Sequence, residues 1–401
     1  MRTRHLIAAV AALLLAACGG GGGSHDKGTV QVSLTDAPAC GYDHVFVTVS
    51  KVSINSSTDG SGNWVDTDLA APQKIDLLDL TNGALESLGQ AALSAGTYQQ
   101  VRLILAPNVD GAATLNNSVV PSGQTTEVAL KTPSAVQTGI KVNTRAPFTV
   151  EPGTLVDLVL DFNACKSVVT TGKGNGNPHA SGYLLKPVVT AAVQVVSGSI
   201  DGYVASADGE TLSAAVGTQV YAEQDGIVVR GTITDSDGHF ILSPLEQSSA
   251  VGNYDVVIAG ATTATNIVSD VPVSAQTTTS LSTADVPFVL TPLLGGVGTI
   301  NGSTTAAAAV ALDALQLING LPYEVATTNA DSSTGDYSLV LPVDAPLFAP
   351  YSSTLPIITT AVPAAAGQYT IRATSAAGNT AEQTATVTTD GSTTVDFGSL
   401  Q

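Results

Sequence analysis

Alternation of apolar and polar residues runs through most of this chain. Val30, Val32 and Leu34 alternate with Thr29, Gln31 and Ser33, the period of a half-buried strand. Thr35-Asp36-Ala37-Pro38 ends that run. Val45, Val47 and Val49 open a second one. Its phase slips at Ser50-Lys51 and resumes at Val52 and Ile54, which predicts a β-bulge. Asn55–Asn63 is a turn-forming stretch, and Trp64 opens another short strand. Tyr98–Leu105 alternates with Val101, Leu103 and Leu105 on one face, and Val156, Leu158, Leu160 and Phe162 mark a further strand. The glycine-rich stretch Gly172–Gly182 reads as a loop, after which Tyr183–Val195 returns as strand. One segment breaks the pattern. Ala84, Leu85, Leu88 and Ala92 fall at helical spacing, so a short helix is expected over Asn82–Leu93, capped by Asn82 and ended by Gly96.

The second half of the chain repeats itself. Gly198-Ser199-Ile200-Asp201-Gly202 is echoed by Gly298-Thr299-Ile300-Asn301-Gly302. Thr218-Gln219-Val220-Tyr221 aligns with Leu315-Gln316-Leu317-Ile318, and Asp237-Gly238-His239-Phe240 with Thr334-Gly335-Asp336-Tyr337. Asn253-Tyr254-Asp255-Val256 aligns with Gln368-Tyr369-Thr370-Ile371. The offset is 97 from Gly238 to Gly335 and 115 from Tyr254 to Tyr369, so the second copy carries 18 extra residues, within Pro342–Pro363. Asp-Gly or Thr-Gly between alternating runs is a hairpin signal, because glycine accepts the positive φ such turns require.

At the N-terminus, Arg2 and Arg4 precede the apolar run Leu6–Ala17, which closes as Leu15-Ala16-Ala17-Cys18. The run falls short of the roughly 20 residues that span a bilayer. A basic start, a short apolar run and small residues before the cut make a secretory signal. Cysteine directly after Leu-Ala-Ala resembles the lipobox of bacterial lipoproteins, which implies acylation of Cys18 and its exposure as the mature N-terminus. Gly19 rather than aspartate follows, and by the same resemblance the expected destination is the outer membrane, with the chain on its periplasmic or outer face. Gly19–Lys27, with five consecutive glycines, is then a flexible tether reaching roughly 15–18 Å. Adjacent Ser24, His25 and Asp26 cannot converge as a catalytic triad inside it.

Composition sharpens this picture. The full chain of 401 residues has net charge −19, and loss of Arg2 and Arg4 leaves 12 basic against 33 acidic residues, or −21. Such a surface repels phosphate backbones and excludes nucleic acid as a partner. Three cysteines are present. With Cys18 lipidated, Cys40 and Cys165 remain, and an oxidising compartment favours their disulfide. Neither C-x-x-C spacing nor a nearby histidine cluster supports a metal or redox role for them.

The order Gly28-Thr29-Val30, Leu34-Thr35-Asp36-Ala37-Pro38, Val49-Ser50-Lys51-Val52, Gly96-Thr97-Tyr98-Gln99-Gln100-Val101-Arg102-Leu103 and Leu184-Leu185-Lys186-Pro187 resembles the bacterial lipoprotein family called domain of unknown function 4382. That resemblance implies architecture and location only. Ser199-Ile200-Asp201-Gly202-Tyr203-Val204, Thr234–Phe240 and Gly252-Asn253-Tyr254 resemble the carboxypeptidase regulatory-like module, a transthyretin-like sandwich with a carbohydrate-binding-like fold. The second copy departs from that signature at Ser332-Ser333-Thr334-Gly335. The expected fold is all-β with one short helix in the first domain. Tandem β-sandwiches occupy 28–196, 197–292 and 293–401, after a signal at 1–17 and the lipidated cysteine and tether at 18–27.

Candidate chemistry is sparse. Of the five histidines, His5 lies in the signal and His25 in the tether, while His44, His179 and His239 are scattered. No H-E-x-x-H or G-x-S-x-G occurs, and the P-loop pattern is absent from Gly172–Gly176. Asp235 and Asp237 open a stretch with Glu246 at the twelfth position, as in a calcium loop, but His239 and Phe240 stand at positions five and six, the latter where glycine is required. A β-turn suits them better, and calcium binding there stays open. Asp157 with Asp161, and Asp76 with Asp79, are carboxylate pairs on strands, where solvation is the usual state. Trp64 is the single tryptophan, a strand residue before it is a sugar platform. The expectation is a non-enzymatic, lipid-anchored envelope protein without metal or cofactor, held to the membrane by its lipid. Its role is a scaffold or adhesion-type binding module for a protein or glycan of the envelope. The alternatives are a carbohydrate-binding accessory lipoprotein and an enzyme whose site assembles across domains.

Overall fold

The computed structural model describes residues 27–400 apart from 38–40, 58–60, 62–63, 68, 70, 145–146, 173–181, 194–196, 209–210, 261 and 306–309. The signal, Cys18, the tether up to Asp26, Cys40, His179 and most of the Gly172–Gly182 loop lie outside the described residues. Lys27, expected at the end of the tether, instead opens the first strand and pairs with Ser94. The chain is all-β, built as tandem sandwiches.

In the first part, the strand Lys27–Ala37 pairs in parallel with Leu155–Asn163 and antiparallel with Glu86–Ser94. Val30, Val32 and Leu34 are fully buried, as their alternation predicts. From Leu155–Asn163 the sheet continues through Val189–Val193, Ile140–Thr144 and Gln100–Leu105 to Tyr42–Asn55. Its buried side chains form one apolar cluster running from Val30 to Ala191. The pairing of Tyr42–Asn55 with Gln100–Leu105 shifts register between Val49 and Lys51, at the predicted bulge.

Asn82–Leu93 is not a helix. Asn82 and Gly83 form a turn with φ of 59° and 78°, and Glu86–Ser94 is a strand. Leu88 and Gly89 together oppose Val32, between the pairs Gln31–Gln90 and Ser33–Ser87. That bulge moves the buried phase from Leu88 to Ala91 and Leu93. A three-residue step inside an alternating strand has the spacing of a helical face, which is why the segment reads as helix. The first part instead has short helices at Pro133–Gln137 and Ala164–Ser167 and a 3₁₀ turn at Leu77–Leu80.

In the second part, Ser197–Asp208 pairs antiparallel with His239–Glu246 and in parallel with Thr278–Ser280 and Phe288–Leu290. A second sheet carries Ile227–Ile233, Gln219–Gln224, Tyr254–Ala259 and Asn266–Val271 in that order. The third part repeats this pairing. Val297–Ser303 lies between Asp336–Pro342 and Ser392–Thr394, and Leu321–Asn329, Val310–Ile318, Gln368–Ser375 and Thr380–Thr386 make the second sheet. Ile200 faces Thr279 just as Ile300 faces Thr393.

One sequence correspondence moves. Val220 faces Ile258 and Leu312 faces Ala373, so Val220 corresponds to Leu312 rather than Leu317. Alternating strands fit one another in several registers, and only the pairing with the neighbouring strand selects one. The recurring glycines have a packing cause. A Cβ at Gly302 would lie 1.7 Å from the Val395 carbonyl oxygen, and one at Gly198 would lie 2.2 Å from that of Ser274. Backbone crosses there too closely for any side chain.

The 18 extra residues join the second part to the third. Leu347–Pro350 pairs in parallel with Asn266–Val271, the outer strand of the second part's sheet, and Thr360–Ala361 pairs onto Leu347 and Phe348. An unpaired strand edge is a template for association, and this insertion covers it. Ala349 and Ile357 enter the core of the second part. In return Tyr221, Val257 and Ile267 of the second part enter the core of the third. The ring of Phe348 lies 6.2 Å edge-on from that of Tyr323.

Candidate functional site

His44, Asp76, Asp161 and Asp235, among the candidate residues, are engaged in structural bonds. His44 Nδ1 lies 2.5 Å from Asp76 Oδ2. The Asp76 hydrogen bond, opposed by slight burial, raises the His44 pKa above its usual value. Asp76 also accepts from the backbone amides of Val45 and Leu78, capping the 3₁₀ turn. Asp79 is exposed. Asp235 Oδ1 accepts from the amides of Asp237 and His239 at 2.9 and 3.0 Å, the turn geometry of an Asx residue. The His239 ring lies 4.6 Å from that of Tyr203. Glu246 stands at the far end of the strand His239–Glu246, on the order of 20 Å from its start at strand rise, so the calcium-loop spacing does not gather into a site. Among the described residues no cluster of three or more His, Cys, Asp or Glu could hold a metal ion. Trp64 packs under the Arg102 guanidinium at 4.2 Å. Asp157 lines a cleft of about 420 Å³ with Ser197, Ser199, Gln276 and Thr278. Asp161 is buried and lies 2.7 Å from Arg230 Nη1, so the Asp157 and Asp161 carboxylates do not act as a pair.

The concentration of charge lies elsewhere, where all three parts meet. Lys166 sits on the short helix Ala164–Ser167, whose start is capped by Asn163 accepting from the Lys166 amide. Its ammonium, largely buried, reaches across to the third part. Nζ lies 2.8 Å from Glu324 Oε1 and 3.1 Å from Asp313 Oδ1. Thr327 Oγ1 donates to the same Asp313 oxygen at 2.7 Å. Glu223 of the second part completes the cluster. It is fully buried, and its Oε2 accepts from the Glu324 backbone amide at 3.0 Å. Its Oε1 is buried without a hydrogen-bond partner.

Burial, and then repulsion from Asp313, push the Glu324 carboxyl up to about 7 against the pull of Lys166. Burial and the neighbouring Glu324 hold Glu223 well above the carboxylate range. Burial works against the Lys166 charge, yet Glu324 and Asp313 outweigh it and raise its proton affinity. Two carboxyl groups here share one ammonium, and a third, Glu223, stands behind them.

Further bridges surround this cluster. Arg230 ties the second part to Asp161 of the first, and Arg230 Nη2 donates to the Pro244 carbonyl at 3.2 Å. Arg372 Nη1 of the third part donates to the Gly226 carbonyl of the second at 3.2 Å. The Asn82 turn of the first part inserts against the second, where its side-chain oxygen accepts from the Ile241 amide and its amide group donates to Asp235. Asn329 of the third part donates to the Cys165 carbonyl at 3.0 Å. Sequence reasoning missed Lys166, Glu223, Asp313 and Glu324. Their one signal is a charge inside an apolar run, as in Val220-Tyr221-Ala222-Glu223 and Leu312-Asp313-Ala314-Leu315.

Residues 27–187 match the family model described as domain of unknown function DUF4382, which covers less than half of the chain. No curated protein matches it. Matches among solved structures include a type II cohesin–X-dockerin complex from Acetivibrio cellulolyticus, at 22% identity and TM-score 0.19, covering 23% of this chain and 56% of that one. The Bacillus anthracis TIE protein matches at 12% identity and TM-score 0.18, covering 93% of this chain and 50% of that one. The minor pilin GBS52 of Streptococcus agalactiae matches at 11% identity and TM-score 0.18, covering 50% of this chain and 95% of that one. This chain thus spans about half the length of the first two. At such TM-scores these likenesses carry no argument about activity or partners.

Proposed function

We propose that the mature chain is a lipid-anchored protein of the outer membrane, tethered through Cys18 and acting as a non-catalytic scaffold or adhesion-type binding module. The observation that carries this reading is the use made of its ionisable groups. Asp76, Asp161, Asp235, Lys166 and Arg230 serve contacts within or between the parts. Three sandwiches locked together by buried charge, two of them also by shared apolar side chains, suit a rigid presenter of surface. The recurring strand order in the last two parts supports their assignment as carboxypeptidase regulatory-like, transthyretin-like modules at 197–292 and 293–401, after a first domain at 28–196. Labelling of cells with a radioactive fatty acid tests the anchor. Label is expected in the wild type and absent from Cys18→Ser, which should leave the membrane fraction. A Cys18→Ser protein that stays with the outer membrane would overturn the anchoring. Hydrolytic turnover abolished by Asp161→Asn or Asp76→Asn in a folded protein would overturn the non-catalytic role.

The same reading pairs Cys40 with Cys165. The parallel register sets Ala37 opposite Asn163, so the chain leaves both strands side by side, three residues before Cys40 and two before Cys165. Such a bond closes a loop of more than 100 residues, and reduction is expected to cost up to roughly 4–5 kcal/mol in the chain-entropy model. Mass spectrometry after alkylation without reductant checks the pairing, and modification of both residues would refute it.

Carbohydrate binding is the second reading. The cleft at Asp157, Ser197, Ser199 and Gln276 offers hydroxyl, amide and carboxylate groups suited to sugar hydroxyls. Binding on a glycan array that disappears in Gln276→Ala would favour it over the scaffold.

A further inference from the structure

We propose that Glu223 is a proton-gated latch. With its carboxyl protonated, the second and third parts stay closed on each other and on Lys166, and its ionisation loosens them.

The geometry assigns this role to one residue. Glu223 is fully buried in the sheet of the second part, on the strand Gln219–Gln224. It meets the third part through a single oxygen, Oε2, which accepts from the Glu324 amide. The other oxygen, Oε1, is buried with no hydrogen-bond partner. A buried oxygen in that position is tolerable on a neutral carboxyl group and costly on an anion.

The groups facing Glu223 explain why an anion there is unwelcome. Across the interface stands Glu324, on Leu321–Asn329. Beside it in its own sheet stands Asp255, its direct partner in register on Tyr254–Ala259. Both add negative charge. Among the described residues the nearby cation on the first part is Lys166, already held by Glu324 and Asp313. Arg372, on the third part, is directed to Glu382 at 2.8 Å and to the Gly226 carbonyl. The remaining titratable neighbours, Tyr221 and Tyr323, are held neutral by burial. Burial comes first and Glu324 second in holding the Glu223 proton.

The sign follows from linkage. A carboxyl that holds its proton more tightly when closed stabilises the closed form fully below the ordinary glutamate range. That stability is lost as pH rises through the closed-form value. Above the range in which an exposed glutamate ionises and below the closed-form value, opening releases one proton. Each pH unit there therefore favours opening about tenfold.

Amide hydrogen exchange of the Glu324 N–H, measured on the complete mature chain, reads the latch directly, because that group donates to Glu223. The comparison is with Glu223→Gln, which keeps the shape and cannot ionise. The ratio of wild-type to variant exchange is expected to climb by about tenfold per pH unit across that window. A ratio that stays constant with pH would overturn the proposal. Should Glu223→Gln fail to fold, the carbon-13 carboxyl shift of Glu223 in the wild type decides. A protonated carboxyl at pH 7 supports the latch, and an ionised one overturns it.

Discussion

Lys166→Met is expected to destabilise the protein by about 3–5 kcal/mol at neutral pH, read from the midpoint of urea unfolding. The size comes from what is left behind rather than from the bond removed. Lys166 is the cation within reach of both Glu324 and Asp313, and each of those carboxylates is almost fully buried. Without the ammonium, two anions face each other across a dry junction, with Glu223 behind them. The methionine variant also has a predicted pH signature. Its folded state retains the proton on Glu324, already pushed up by burial with Lys166 in place, to higher pH than the unfolded chain does. Its deficit is therefore smaller near pH 5 than near pH 8. A deficit under about 1 kcal/mol at pH 8 would place the cluster among exposed surface pairs and refute its structural weight. Replacing Asp313 and Glu324 by apolar residues together with Lys166 should recover most of the loss, since a buried ion set often gives way to packed side chains at little cost.

The second large effect is expected from removing residues 345–361 and closing the gap with a short turn. This takes Ala349 and Ile357 out of the core of the second part and Phe348 away from Tyr323. Two or three side chains of this kind contribute on the order of 5 kcal/mol. The deletion also bares Asn266–Val271, now covered by Leu347–Pro350. Ile267 and Val268 on that strand are fully buried in the intact protein. An exposed apolar edge of this kind should drive association, so sedimentation velocity is expected to show oligomers whose proportion grows with concentration. A deletion variant that remains monomeric and melts like the parent would show that the insertion is an ornament rather than a cover.

Both effects rest on features that differ in legibility. The 18-residue excess was visible as a change of offset between the repeats, but its destination was not. Leu-Phe-Ala-Pro carries no mark of the strand it joins, because parallel pairing is set by backbone geometry and by the space beside Asn266–Val271. The alternating strands of the first part were readable because one face is buried and the other is not, as at Val30, Val32 and Leu34. The segment after Asn82 misled for a related reason. A bulge shifts the buried phase by three residues, and apolar spacing alone does not separate that from a helical turn. Chemistry marks out the candidate residues in the sequence, and the fold uses them otherwise. Asp161 meets Arg230 across 69 residues of sequence, and Asp235 caps its own turn.

By itself the sequence determined that this is an all-β chain, that its second half is a repeat, and that recurring glycines stand at matching places in the two copies. Those properties follow from period, turn residues and local sterics, which act over a few neighbouring positions. Only the tertiary structure decided that the second and third parts share their cores and that all three parts close around Lys166, Glu223, Asp313 and Glu324. A strand can bury a charge only where another part of the chain supplies the counter-charge or the proton, and which part arrives there is a property of docking. For that reason the residues with the largest predicted effects are those the alternation passes over as interruptions.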